Sequence, residues 1–276
     1  MPDEDARLRV ATLNAWGVRG DWPGRGQKLV AGFAALDADL ITVQEVIVTE
    51  DFDQVREMLG PDYHLVHHSD RESDGQGIST ASRWPVGQVR EVDLNVTERT
   101  AGFACTALVT EILAPSPWDR IWLVNHLPDY RLDHEHERCG QAVAVAAEIT
   151  RLTADRPGHV VIAGDFDADP GAASMRFWTG REPLAGLSVC YRDAWASGHP
   201  ELAADDPKGH TYVPDNPYSV DWDWPFRRID YILVGTARIG GPTLMVTSCE
   251  RMMDGPDTCA SDHYGLIAEL AIPVKN

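Results

Sequence analysis

The stretch HVVIAGDFDADP, residues 159–170, decides how the rest of the chain is read. Residues 159–163 form an apolar run of strand length that stops at Gly164 and two acids, Asp165 and Asp167, before Pro170 breaks the backbone pattern. An apolar run without alternation predicts a strand buried on both faces. A carboxylate at the end of such a strand is costly unless it is paired or holds a metal.

The same design recurs on either side. Upstream, a strand over 8–13 ends at Asn14, DLITVQEV (39–46) carries Glu45 near its end, and IWLVNHL (121–127) carries His126. Downstream, RRIDYILV (227–234) contains Asp230, and ASDHYGLIAEL (260–270) opens on Asp262 and His263. Each residue alone reads as a cap or a turn. Together, drawn only from Asn, Glu, Asp and His, they predict convergence at one edge of a sheet.

Further strands are predicted over 63–68, 78–81, 86–94, 103–113 and 243–247, and helices over 27–36, 51–59 and about 133–153. Strands outnumber helices, and helices occur in both halves. Two packed sheets with helices outside would bury this set of elements. No repeat, low-complexity tract or Gly/Ser linker divides the 276 residues, so one domain over 1–276 is expected, with its core over about 7–272.

Composition narrows the function. Lys+Arg number 24 against 43 Asp+Glu, a formal charge of −19, and no Lys/Arg run exists to track a nucleic-acid backbone. No stretch approaches the ~18 apolar residues of a membrane span. The acidic start of the chain lacks the order of a secretory signal. Cys105, Cys139, Cys190, Cys249 and Cys259 form no zinc pattern and read as free thiols. A cytoplasmic monomer is the expectation.

Taken in order, TLNAWG, DLITVQE, VNHLPD, GDFDADP, RRIDYIL and SDHYGLIAEL resemble the endonuclease/exonuclease/phosphatase superfamily over nearly the whole chain. The resemblance implies an α/β fold, a four-layer α/β/β/α sandwich of two packed mixed sheets with flanking helices. It also implies a divalent-metal phosphoesterase. Glu45 stands where the family keeps its main metal-binding carboxylate, with Asn14 and Asp262 completing the metal site, Asn14 by orienting it. Hard oxygen donors suit Mg²⁺, or Mn²⁺ in its place. His263 is expected as general base, oriented by Asp230; the rival assignment makes Asp165 the base and gives His263 the phosphate. His126 is expected to bind a phosphate oxygen or to protonate the leaving group.

Asp167 departs from the pattern, because the family usually has Asn there. Asn can donate to a phosphate oxygen, whereas an ionised Asp can only accept. Asp167 then either ligates a second metal with Asp165, the favoured reading, or holds a proton under like-charge crowding, or repels a dianionic monoester. Of Arg227 and Arg228, one is expected to reach the substrate phosphate, and Arg228 is assigned that role. Trp16, Arg19, Trp22, Trp222 and Trp224 lie in loops expected to rim the site, where Trp16 would stack on substrate; packing of each loop on its own domain is the bland alternative. His134 and His136 do not share a helix face and predict no zinc site. His64, His67 and His68 predict a solvated or edge strand, and Arg83 a structural role.

The expected substrate is a phosphodiester or phosphomonoester of a small molecule, nucleotide or lipid headgroup. The alternatives are a deoxyribonuclease-like endonuclease and a non-catalytic binding module that retains the fold.

Overall fold

A computed structural model describes residues 6–219, 225–237 and 243–273; Trp222 and Trp224 lie outside the described residues. Among the described residues, twelve strands form two mixed sheets of six. The first sheet holds β1 (Leu8–Asn14), β2 (Leu40–Ile47), β3 (His64–His67), β4 (Gln76–Ser82), β11 (Met245–Met252) and β12 (Gly265–Ala271), in the order β11-β12-β1-β2-β4-β3. The second holds β5 (Val86–Asp93), β6 (Thr106–Leu113), β7 (Arg120–Leu127), β8 (His159–Asp165), β9 (Tyr191–Asp193) and β10 (Asp230–Gly235), in the order β5-β6-β7-β8-β10-β9. One parallel pair sits in the middle of each sheet, β1 with β2 and β7 with β8; the remaining pairs are antiparallel.

Three buried clusters give the layers. Leu8, Val10, Leu123, Val161, Ile232 and Leu266 pack between the sheets. Trp122, Val124 and Ile162 face α3 (Glu135–Asp155) and α4 (Ala173–Trp178) on one outer side. Ala11, Ile41 and Val43 face α1 (Trp22–Leu36) and α2 (Gln54–Leu59) on the other. The expected α/β/β/α sandwich is the fold observed.

Strand alternation then fixes which end groups meet. In β1, Leu8 and Val10 lie between the sheets, and the same face carries Thr12 and Asn14. In β8 the inner face runs Val161, Ala163, Asp165; in β10 it runs Asp230, Ile232, Val234. Asp165 pairs directly with Asp230 across the antiparallel ladder, so the two carboxylates share one sheet edge.

Glu45 reaches the same edge by a different device. Simple alternation would place it with Ile41 and Val43, facing the helices. The register slips between Val43 and Val46, where three steps on β2 oppose two on β4, and Glu45 takes the left-handed conformation at φ 53°. This bulge turns Glu45 out of the helix-facing row, and Val46 takes its place in that core.

A short fifth helix, α5 (Ala194–Gly198), packs beside β11 and β10. The five cysteines are free. Among the described residues, no helix is long and apolar enough to cross a membrane. Arg83 pairs with Asp37 and donates to the Ala38 carbonyl, the structural role expected for it. His64 is exposed on edge strand β3, but His68 is buried against Thr106 rather than solvated.

Candidate active site

The polar strand ends open into a cavity of about 630 Å³. Its floor carries Glu45, Asp165, Asp167, Asp262 and His263, and its walls carry Trp16, Phe103, Tyr130, Tyr212 and Arg227.

Asn14 ties the floor together. Its Nδ2 donates at 3.0 Å to Glu45 Oε1 and at 3.0 Å to Asp165 Oδ2, while its Oδ1 accepts from the Trp16 backbone N–H at 3.0 Å. A nitrogen that donates to both carboxylates cannot ligate a cation, so Nδ2 orients the site, while Oδ1 keeps a second lone pair. Ser261 closes the back, its Oγ donating to the Asn14 backbone carbonyl at 2.6 Å and lying 3.2 Å from Asp262 Oδ1. Beneath lies a buried polar link between the sheets: Gln44 Nε2 donates to Asn125 Oδ1 at 2.7 Å, and Asn125 Nδ2 to the Ser79 and Val43 carbonyls. Gln44 and Asn125 stand beside predicted site residues, and their buried register on the inner face was the readable signal.

His263 Nδ1 lies 3.0 Å from Asp230 Oδ2 and 3.8 Å from Asp165 Oδ2. Burial works to lower the imidazole pKa. The charges of Asp230, Asp165 and Asp262 outweigh it and hold the pKa well above the ordinary histidine value. The carboxylates around the ring thus favour its protonated form. Asp165 is pushed well above the carboxylate range by burial and then by Asp167. Burial raises Asp167 to about 6. Burial and the Glu45 charge raise Asp262 to about 6.

Asp165, Asp230 and His263 place one ligand atom each within 4.8 Å of one another. The Asp–His hydrogen bond already accounts for that group. Glu45 stands outside that group, and its Oε2 is held by the Arg19 guanidinium at 2.7 Å. A positive group thus already stands against this carboxylate, and Glu45 and Asp262 are close enough for the Glu45 charge to raise the Asp262 pKa. Carboxylate oxygens are the hard donors that a divalent cation takes. Asp167 lies outside the three-residue group, and its backbone N–H donates to Asp165 Oδ1 at 3.1 Å. Its φ of 51° is the left-handed region, as at Trp16 (57°) and Glu45 (53°). Three strained non-glycine residues thus line one cavity.

Two expected site residues are placed elsewhere. His126 falls on the outer face of β7, in the row of Trp122 and Val124, and its ring packs edge-on against Phe166 and Trp178. Burial lowers its pKa to about 3 and so favours the neutral ring; Leu127, next in the strand, lines the cavity instead. Arg228 is buried and paired with Asp193 at 2.7 Å, away from the cavity, and Arg227 lines it. Trp16 both lines the cavity and packs its loop, with the Arg25 guanidinium 4.8 Å from its ring. Trp22 packs against Phe52. His134 Nδ1 lies 3.0 Å from Asp129, a buried structural pair. Arg19, read only as a loop residue, is the unforeseen partner of Glu45.

A model of the Endonuclease/Exonuclease/phosphatase family matches residues 11–263. The chain is 26% identical to human sphingomyelin phosphodiesterase 2 over 98% of its length and to a putative neutral sphingomyelinase of Caenorhabditis elegans over 96%. It spans about two thirds of the length of each (66% and 67%). Among solved structures, an endonuclease/exonuclease/phosphatase from Bacteroides vulgatus superposes with a TM-score of 0.74 at 17% identity, covering 98% of this chain and all of the other. D. rerio TDP2 complexed with single strand DNA product superposes with a TM-score of 0.72 at 18% identity, covering 96% and 99%. The convergent strand-end acids, the sandwich that carries them and the family match over most of the chain agree: this protein belongs to the endonuclease/exonuclease/phosphatase family and is a metal-dependent phosphoesterase.

Proposed function

We propose that this chain is a Mg²⁺- or Mn²⁺-dependent phosphodiesterase of a choline-type lipid headgroup, with sphingomyelin as the leading substrate and one domain over 1–276 carrying the activity. The observation that carries this reading is the charge of the cavity. Six lining side chains are carboxylates (Glu45, Glu72, Asp74, Asp165, Asp167 and Asp262), against two arginines and one imidazole. Such a cavity disfavours a dianionic monoester and a polyanionic strand, and it tolerates a monoanionic diester with a cationic end. Phe103 and Tyr130 pack edge to face at 5.1 Å on the wall that also carries Glu72 and Asp74. Aromatic rings beside acids suit a quaternary ammonium group, and the Arg131 guanidinium already lies 4.9 Å from the Tyr130 ring as a cation does. The likeness to sphingomyelin phosphodiesterase 2 points the same way.

In the proposed reaction Asp165 takes the proton of the attacking water, because a raised carboxylate pKa makes it a stronger base. His263, protonated and oriented by Asp230, hydrogen-bonds the phosphate and steadies negative charge as it grows. Arg227 contacts a non-bridging phosphate oxygen from the wall. Glu45 and Asp262 would hold the divalent cation, which when bound neutralises phosphate oxygens and the leaving oxyanion.

The test is a panel with Mg²⁺: sphingomyelin in neutral mixed micelles, p-nitrophenyl phosphate, and single-stranded DNA. Faster turnover of sphingomyelin than of the other two is expected. A preference for DNA or for the monoester would overturn the substrate assignment.

A further inference from the structure

Glu45 is held from two sides of different character. Oε1 receives Asn14 Nδ2 from the floor, and Oε2 receives Arg19 Nη1 at 2.7 Å from the rim. The second arm of the Arg19 guanidinium donates to Gln76 Oε1 at 2.7 Å. The Arg19 backbone is anchored, since its carbonyl accepts from Arg25 Nη1 at 2.6 Å. Arg25 is itself buried and bound to the Ala15, Gly17 and Ala260 carbonyls. The Arg19 side chain, by contrast, is 47% exposed. A fixed backbone with an exposed head is a hinge at the side chain alone.

The ion pair is short, but exposed pairs of this kind hold weakly and exchange readily. A divalent cation carries twice the charge of the guanidinium and competes for the same carboxylate oxygen. A cation on Oε2 repels the guanidinium bonded to the same oxygen. Once displaced, the guanidinium remains in the cavity that Arg227 also lines, where a phosphate offers the planar two-oxygen partner that arginine prefers.

We propose that Arg19 is a displaceable counter-cation of Glu45: it holds the carboxylate until a divalent cation takes Oε2, and then turns to the substrate phosphate. The proposal rests on the reading of Glu45 as a metal ligand. It makes Arg19 a substrate-binding residue whose free position is set by the metal site.

The two halves predict opposite signs. Calorimetric titration of Mn²⁺ alone into the wild type, Arg19→Ala and Arg19→Met should show both variants binding about fivefold tighter, the equivalent of one exposed ion pair removed. The KM of the same variants for bis(p-nitrophenyl) phosphate should rise about tenfold, for loss of a charge-assisted contact. A merely structural residue would weaken both. Glu45→Gln separates the two readings, since loss of Mn²⁺ binding in that variant supports Glu45 as a ligand. If Glu45→Gln loses Mn²⁺ while both Arg19 variants bind it as the wild type does or more weakly, Arg19 is no counter-cation and the metal reading stands. If Glu45→Gln binds Mn²⁺ as the wild type does, both fall. An unchanged KM in the Arg19 variants overturns the transfer to phosphate.

Discussion

Asp230→Asn is the substitution that isolates the chemistry of His263 with least structural disturbance. Asp230 is fully buried, its Oδ2 lies 3.0 Å from His263 Nδ1, and its Oδ1 has no hydrogen-bond partner among the described residues. Asparagine keeps the shape and can still accept from Nδ1, so no cavity forms. What disappears is a full negative charge beside a buried ring. A hydrogen bond to a charged group is worth ~1.5–3 kcal/mol, and lost from the transition state this corresponds to a fall of roughly 10- to 150-fold in kcat/KM. The pH profile adds a second signature. His263 owes its raised pKa to carboxylates acting against burial, Asp230 first among them. Removing that charge lets burial pull the pKa down, so the descending basic limb of kcat/KM should move to lower pH. Stability follows the same linkage. A pKa raised by folding stabilises below the unfolded value and loses that contribution as pH rises through the folded one. Asp230→Asn should shrink this contribution on the acid side. The assay is kcat/KM for bis(p-nitrophenyl) phosphate from pH 5 to 10 with saturating Mg²⁺. A variant within twofold of wild type, with its basic limb unmoved, would refute the role of the Asp230–His263 pair.

Other perturbations read different parts of the site. In chelator, thermal stability should fall as pH rises from 4 through 6, because buried Asp167 stays protonated to about 6 and the folded state binds more protons than the unfolded one. That shift is worth up to about 3 kcal/mol, and Mg²⁺ should restore much of it; a melting temperature flat in pH would contradict the raised pKa. Asp167→Asn removes the charge that crowds Asp165, so the acid limb of kcat/KM should move to lower pH; an unmoved limb would separate the two residues. Arg228→Met should lower stability by roughly 3–5 kcal/mol by stranding Asp193, whereas Arg227→Ala should leave melting unchanged and raise KM. The reverse pattern, read by calorimetry and steady-state kinetics, would exchange the two roles.

The buried strands were legible because their apolar runs are long and stop on charged residues, as at Ala163–Gly164–Asp165. Their ends also carried most of the site, since alternation sends Asn14, Asp165 and Asp230 to one inner face. Alternation applied to β7 would also have turned His126 outward with Trp122 and Val124; its place at a strand end suggested a site residue, and its register excluded it. Glu45 was found for a reason the strand pattern alone does not contain, because VQEV reads as unbroken strand and the bulge that rotates Glu45 leaves no turn residue behind. The elements α4, β9 and α5 are six, three and five residues long, too short for a periodic signal. Helix α1 begins at Trp22 rather than 27: Gly24 and Gly26 read against a helix, yet Asp21 caps it and Pro23 suits its first turn. Arg19 and Arg227 sit in loops, where no pattern says which way a side chain turns.

The central claim is phosphodiester hydrolysis supported by a cation held at Glu45. The most direct measurement is release of p-nitrophenolate from bis(p-nitrophenyl) phosphate by wild type and Glu45→Gln, each with Mg²⁺ or Mn²⁺ and then with chelator. The account predicts turnover by wild type only with metal, and a loss of at least about 100-fold in Glu45→Gln, the size of a transition-state contact removed. Turnover that persists in chelator, or a Glu45→Gln variant as active as wild type, would contradict it.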